Sequence, residues 1–140
     1  MARDRTTAHE PSALPALTAG SAALLLGALV YLSARAPGSS PAALGWLPPL
    51  SSFWTPLLGQ FPSLLHAFAF TLLTTVLLGT RRVIFSALLW AGIDAAFEIA
   101  QHPVIGGVGG TFDPLDLLAI ATGAGLAILF LTRSPQEGAQ

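Results

Sequence analysis

Four runs of the chain are almost continuously apolar, at about 16–34, 63–80, 83–101 and 113–132, separated by polar or proline- and glycine-rich breaks. Each is about 18 residues or longer, enough for a helix rising about 1.5 Å per residue to cross a hydrocarbon core of roughly 30 Å. A segment in lipid must satisfy its own backbone hydrogen bonds, which leaves helices as the expected form. The pattern predicts an all-α fold, a polytopic membrane helix bundle of about four transmembrane helices. It is a single membrane domain over 1–140, with nothing left for a separate soluble unit. The tails 1–11 and 134–140 are expected to be loosely ordered.

A further apolar segment follows a different pattern. Pro37-Gly38-Ser39-Ser40-Pro41 ends the first helix and opens a loop over 36–62. Beyond it Leu44, Trp46, Leu47, Leu50, Phe53, Trp54, Leu57, Leu58 and Phe61 are interrupted by Pro48, Pro49, Pro56 and Pro62. That is too broken for a spanning helix. The segment is expected to lie in the membrane interface, with the Trp46 and Trp54 indoles at headgroup level. A lid over a site is the alternative.

Composition supports this picture: 53% of the residues are hydrophobic and 9% charged, too oily for a water-facing surface on 140 residues. The expected partner is the lipid bilayer. A net charge of −1 argues against nucleic acid. Without cysteine there are no disulfides, thiolate metal sites or thiol chemistry.

All six cationic side chains are arginines. Arg3 and Arg5 precede the first span, Arg81 and Arg82 join the second and third, and Arg133 follows the fourth. These five share one side, which the positive-inside rule makes cytoplasmic. The expected location is a bacterial inner membrane with both termini cytoplasmic and the 36–62 and 102–112 loops outside; only Arg35 dissents. Ala34-Arg35-Ala36 also has the small-x-small form of a signal cleavage site, but the preceding apolar run is longer than a usual signal core.

Ionisable groups inside the spans gather toward the expected outer surface. His66 falls about one turn into the second span. Asp94, Glu98, Gln101 and His102 stand at i, i+4, i+7 and i+8 of the third, a spacing that places them on one helical stripe. Asp94 is the deepest; a carboxylate at mid-bilayer costs about 2.5–3.5 kcal/mol on insertion scales and should face protein, water or a partner. The stripe supports interhelical hydrogen bonding or a ligand, proton or metal role.

Pro103 ends the third helix, and Gly106, Gly107, Gly109 and Gly110 form a flexible loop, with no Lys-Ser or Lys-Thr pair to make it a phosphate loop. Asp113-Pro114-Leu115-Asp116 reads as a helix start: Asp113 as N-cap, Pro114 as first helical residue, and Asp116 closing a capping arrangement. Small residues four apart, Ala91 with Ala95, Gly92 with Ala96 and Gly123 with Ala127, together with Gly20, Ala23 and Gly27, predict close helix packing, or docking on another membrane subunit.

His66 near the start of one span, Glu98-Ile-Ala-Gln101 at the end of the next, and Gly110-Thr-Phe-Asp-Pro-Leu-Asp116-Leu-Leu-Ala followed by Gly123-Ala124 resemble the VanZ-like membrane proteins. The resemblance covers roughly 60–127. It implies a small multi-spanning protein of the bacterial cell envelope, in a family named for a member associated with antibiotic resistance to the glycopeptide teicoplanin. The chain departs from the family pattern where Pro62-Ser63 replaces an Asp-Lys pair, Gly110 an arginine and Ile120 an asparagine. The cationic half of the family's usual site is thus missing, and with it the bidentate partner of a phosphate or carboxylate.

The candidates for ligand binding or proton relay are therefore His66, Asp94, Glu98, Gln101, His102 and Asp116. Two imidazoles and two carboxylates, His66, Glu98, His102 and Asp116, are expected at the outer ends of three helices. That set could hold a divalent ion or act as acid and base, yet no HExxH pattern is present, and neither a metal site nor a cofactor is assigned. Three functions follow: lipid or glycopeptide recognition at the outer leaflet, an accessory subunit of a larger membrane complex, and an intramembrane acid/base or metal-dependent enzyme. A non-enzyme is the plainer expectation.

Overall fold

The structure, a computed structural model, describes residues 13–34, 59–105 and 112–133. They form four helices, α1 (Leu14–Ala34), α2 (Phe61–Leu78), α3 (Val83–Ala100) and α4 (Pro114–Arg133), with one 3₁₀ turn, Thr80–Arg82, between α2 and α3. All four helical segments are long and apolar enough to cross a membrane. The fold is the expected all-α bundle of a multi-pass membrane protein, and every span boundary lies within two residues of the reading from hydropathy. The segment carrying Trp46 and Trp54, the 106–110 glycine loop and both tails lie outside the described residues.

Two ends of α2 show why the boundaries fall where they do. The expected loop over 36–62 gives up its last residues, because Phe61 and Pro62 belong to the first turn of α2. Proline is tolerated there, since its missing N–H would have no acceptor within the helix. At the other end Gly79 adopts φ +91°, a conformation open to glycine, and turns the chain into the exposed Arg81 and Arg82.

Helix α2 is the centre of the bundle. It packs against α1, α3 and α4, and α3 also packs against α4. Helix α1 runs antiparallel to α2, with Gly20 seated on Ala69 and Leu73 and Gly27 on Leu65 and Pro62. Its buried positions, Ala16, Gly20, Ala23 and Gly27, follow helical spacing and are all small. The approach of α4 to α2 is tighter still. A Cβ on Gly123 would overlap the Leu64 carbonyl oxygen and stand 3.2 Å from the Phe68 nitrogen. Lipid supplies no hydrophobic drive between helices, so close backbone approach and dispersion must hold them together.

The small pairs on α3 behave differently. Gly92 and Ala96 are exposed, and a Cβ on Gly92 would meet nothing within 4 Å. Around them the outward positions are large and apolar, including Phe85, Leu88, Ile93 and Phe97 on α3 and Leu118, Leu126 and Leu129 on α4. A surface this apolar belongs against lipid or another protein.

Candidate functional site

The polar groups collect at the end of the bundle where α2 and α4 begin and α3 stops, here called the upper end. Asp113 is the junction. Its Oδ1 accepts the Leu115 N–H at 2.9 Å, so it caps α4 as its position before Pro114 predicts. Its Oδ2 accepts the Gln60 amide at 2.8 Å, from the residue that precedes α2. Its own N–H donates to Glu98 Oε1 of α3 at 2.6 Å. One residue therefore ties together the ends of three helices.

This arrangement revises the role of Asp116. In a closed capping box the third helical residue would accept the N–H of the cap. Here Glu98, from a different helix, has taken that N–H, and Asp116 lies beside Ser63 of α2. Among the described residues Asp116 Oδ1 and Gln60 Oε1 are buried without a hydrogen-bond partner.

Glu98 is 6% exposed, and its second oxygen accepts the Gln101 amide at 3.1 Å. Both oxygens of this carboxylate are thereby used, which is how a charged group is held inside an apolar bundle.

The expected stripe on α3 divides. Asp94 and Glu98 serve different neighbours, and the helix ends at Ala100, so Gln101 is its C-cap and His102 has left the helical line. His102 packs on Phe112 with ring centroids 4.9 Å apart, and its Nδ1 accepts the Val104 N–H at 3.3 Å. The four-residue ligand set drawn from the sequence is thus split. His66 goes to Asp94, Glu98 to Asp113 and Gln101, His102 to Phe112, and Asp116 to Ser63. Among the described residues no three His, Asp or Glu side chains are grouped so as to hold a metal ion.

Below the junction α2 and α3 meet along a polar and aromatic ladder. His66, Phe70 and Thr74 stand at i, i+4 and i+8 on α2, facing Asp94 and Trp90 of the antiparallel α3. His66 Nδ1 lies 3.1 Å from both oxygens of Asp94. Phe70 sits between His66 and Trp90, 4.4 Å from each by ring centroid. The indole N–H of Trp90 donates to the Thr74 hydroxyl at 2.7 Å. The deepest acid is therefore bound to protein, its side chain 12% exposed, while the imidazole it holds is 44% exposed.

Sequence reasoning missed Gln60, Ser63, Thr74 and Trp90. Only Gln60 left a trace, as the one amide in an otherwise apolar approach to Pro62. The others are Ser, Thr and Trp types common in membrane helices, and their roles depend on which neighbour they face.

Helices and site together define a class, a multi-pass helical membrane protein with a hydrogen-bonded polar junction at one end of the bundle. No family model matches the chain, and neither does any curated protein or solved structure.

Proposed function

We propose that this chain is a VanZ-like protein of the bacterial cytoplasmic membrane, with both termini cytoplasmic, that recognises a lipid or glycopeptide head group at the outer leaflet. The observation that carries this reading is the pair of buried acceptors at the upper end, Gln60 Oε1 and Asp116 Oδ1, that have no partner among the described residues. Buried polar atoms are nearly always satisfied, and two open acceptors at the helix ends are a place for a ligand's donors. The positive-inside rule applied to the arginines supports an outward-facing position for that end, where head groups and glycopeptides are found. The polarity of the site also suits the departure from the family pattern. Among the described residues no cation stands beside the open acceptors, so the recognised group is a donor of O–H or N–H, such as a sugar hydroxyl, an amide or an ammonium, rather than a phosphate.

The test is a pair of conservative substitutions, Glu98→Gln and Asp116→Asn, in the native host. Altered susceptibility to a glycopeptide antibiotic or to envelope stress, at unchanged protein level, supports recognition. Wild-type behaviour of both at normal expression confines these residues to structure.

A second reading is favoured by one observation. Gly92 and Ala96 form an open small-residue track on α3, the kind of surface on which another membrane helix docks. An accessory subunit would carry such a track. Purification in mild detergent separates the readings, because a stoichiometric second protein supports the subunit and a lone chain counts against it.

A further inference from the structure

We propose that the lower end of the bundle holds an anionic phospholipid, its phosphate gripped by Arg81 and Arg82 in the turn between α2 and α3. Charge is segregated along this molecule. Among the described residues the carboxylates, on Asp94, Glu98, Asp113 and Asp116, lie in the half toward the upper end, and the three arginines, Arg81, Arg82 and Arg133, lie at the opposite end. No carboxylate therefore reaches those guanidiniums, and the one ion pair among the described residues is His66 with Asp94. All three arginines are exposed, and among the described residues their side chains have no hydrogen-bond partner.

Depth and polarity select a lipid over a soluble anion. Helix α2 has 18 residues, about 27 Å at 1.5 Å per residue and close to the roughly 30 Å of a hydrocarbon core, so the turn that follows it stands at head-group level. The two arginines occupy consecutive positions there. Around them the surface is apolar: Leu77 is 82% exposed, and Leu78, Ile84 and Phe85 are exposed as well. A molecule lying on this corner meets guanidinium forks at one end and hydrocarbon along the helices, the same order of polarity as a phospholipid from phosphate to acyl chain. A guanidinium binds phosphate oxygens bidentately. No side chain caps the start of α3, so the positive end of its dipole adds to the attraction. Arg133 stands differently, because it ends α4 and there answers the negative end of that helix. The described residues at this end offer no carboxylate for an ammonium, so the head group that fits carries net negative charge, as in phosphatidylglycerol, and not the balanced charges of phosphatidylcholine.

This site lies at the other end of the bundle from Gln60 and Asp116, and it holds or fails independently of head-group recognition there. The test uses the full chain, purified and delipidated in mild detergent. It is titrated with phosphatidylglycerol and with phosphatidylcholine of the same acyl chains, and bound lipid is counted by native mass spectrometry. One basic side chain near an anionic head group is worth about fivefold, so the two arginines together should favour phosphatidylglycerol about thirtyfold. Arg81→Gln or Arg82→Gln should leave about a fivefold preference and the double variant none. Arg133→Gln should keep the preference of the unmodified protein. Equal binding of the two lipids by the unmodified protein overturns the proposal, whatever the variants do. A preference that survives in the double variant, or that Arg133→Gln abolishes, also overturns it. So does displacement of the lipid by an equal concentration of soluble glycerol 3-phosphate, because the apolar surface beside the arginines would then contribute nothing.

Discussion

Glu98 of α3 accepts the backbone N–H of Asp113, the residue that caps α4, at 2.6 Å. A side chain from one helix thus closes the cap of another, so the start of α4 and the end of α3 form a single polar unit. Glu98→Leu would leave the half-buried Asp113 N–H and Gln101 amide without their acceptor. The expected loss is about 2–4 kcal/mol, from two stranded donors at about 1–3 kcal/mol each with partial relief by water at the helix ends. Glu98→Gln keeps one acceptor for Asp113 and lets Gln101 rotate its amide, so it should cost about 1 kcal/mol or less. Equilibrium unfolding in detergent micelles measures the contrast, and equal losses for the two variants would show that the cap does not depend on Glu98.

The contact of Gly123 with Leu64 predicts a sharply local intolerance of side chains. Gly123→Ala should destabilise by about 1–3 kcal/mol, because the new methyl meets backbone of α2 that cannot rotate away. Gly92→Ala and Gly125→Ala meet nothing within 4 Å and should be neutral or stabilising by about 0.5–1 kcal/mol through helix propensity. The same unfolding measurement compares the three; a Gly123 variant as stable as the other two would mean that the helices are not this close.

His66 and Asp94 should be energetically coupled. A double-mutant cycle with His66→Phe and Asp94→Asn is expected to give about 0.6–1.7 kcal/mol, from the mean to the largest value measured for polar contacts between membrane helices. A coupling energy indistinguishable from zero would place the two side chains apart.

Three hydroxyls, those of Thr71, Thr75 and Ser86, are fully buried and unpartnered among the described residues. By contrast Thr18, Thr122 and Thr132 bond to a carbonyl four residues back on their own helices. Thr71→Val and Thr75→Val should therefore be neutral or stabilising by up to about 1 kcal/mol, since they remove an unsatisfied polar atom at constant shape. A loss of stability from either change would mean that the hydroxyl has a partner.

Topology can be read directly, because the chain has no cysteine and any single introduced one is unique. Thr80→Cys, in the turn beside Arg81 and Arg82, should react with a membrane-impermeant maleimide only after the membrane is opened. Reaction from outside on intact cells would invert the assignment of the upper end.

Hydropathy alone determined the number and limits of the spanning helices among the described residues, because in lipid a segment's length and apolar character decide whether it spans, whatever its neighbours are. The start of α4 was equally legible, since an Asp-Pro pair before an apolar run caps a helix by local geometry. The sequence also marked Asp94 as needing a partner, through the penalty on a carboxylate in hydrocarbon. Tertiary structure decided which partner that was. It sent Asp94 to His66 and Glu98 to Asp113, released Asp116 from its expected capping role toward Ser63, and took His102 off the stripe by ending α3 at Ala100. Those outcomes depend on how the helices are rotated and registered against each other. Small-residue contacts such as Gly123 on Leu64 set that register, and a single chain's periodicity places residues on a face without saying what the face will meet.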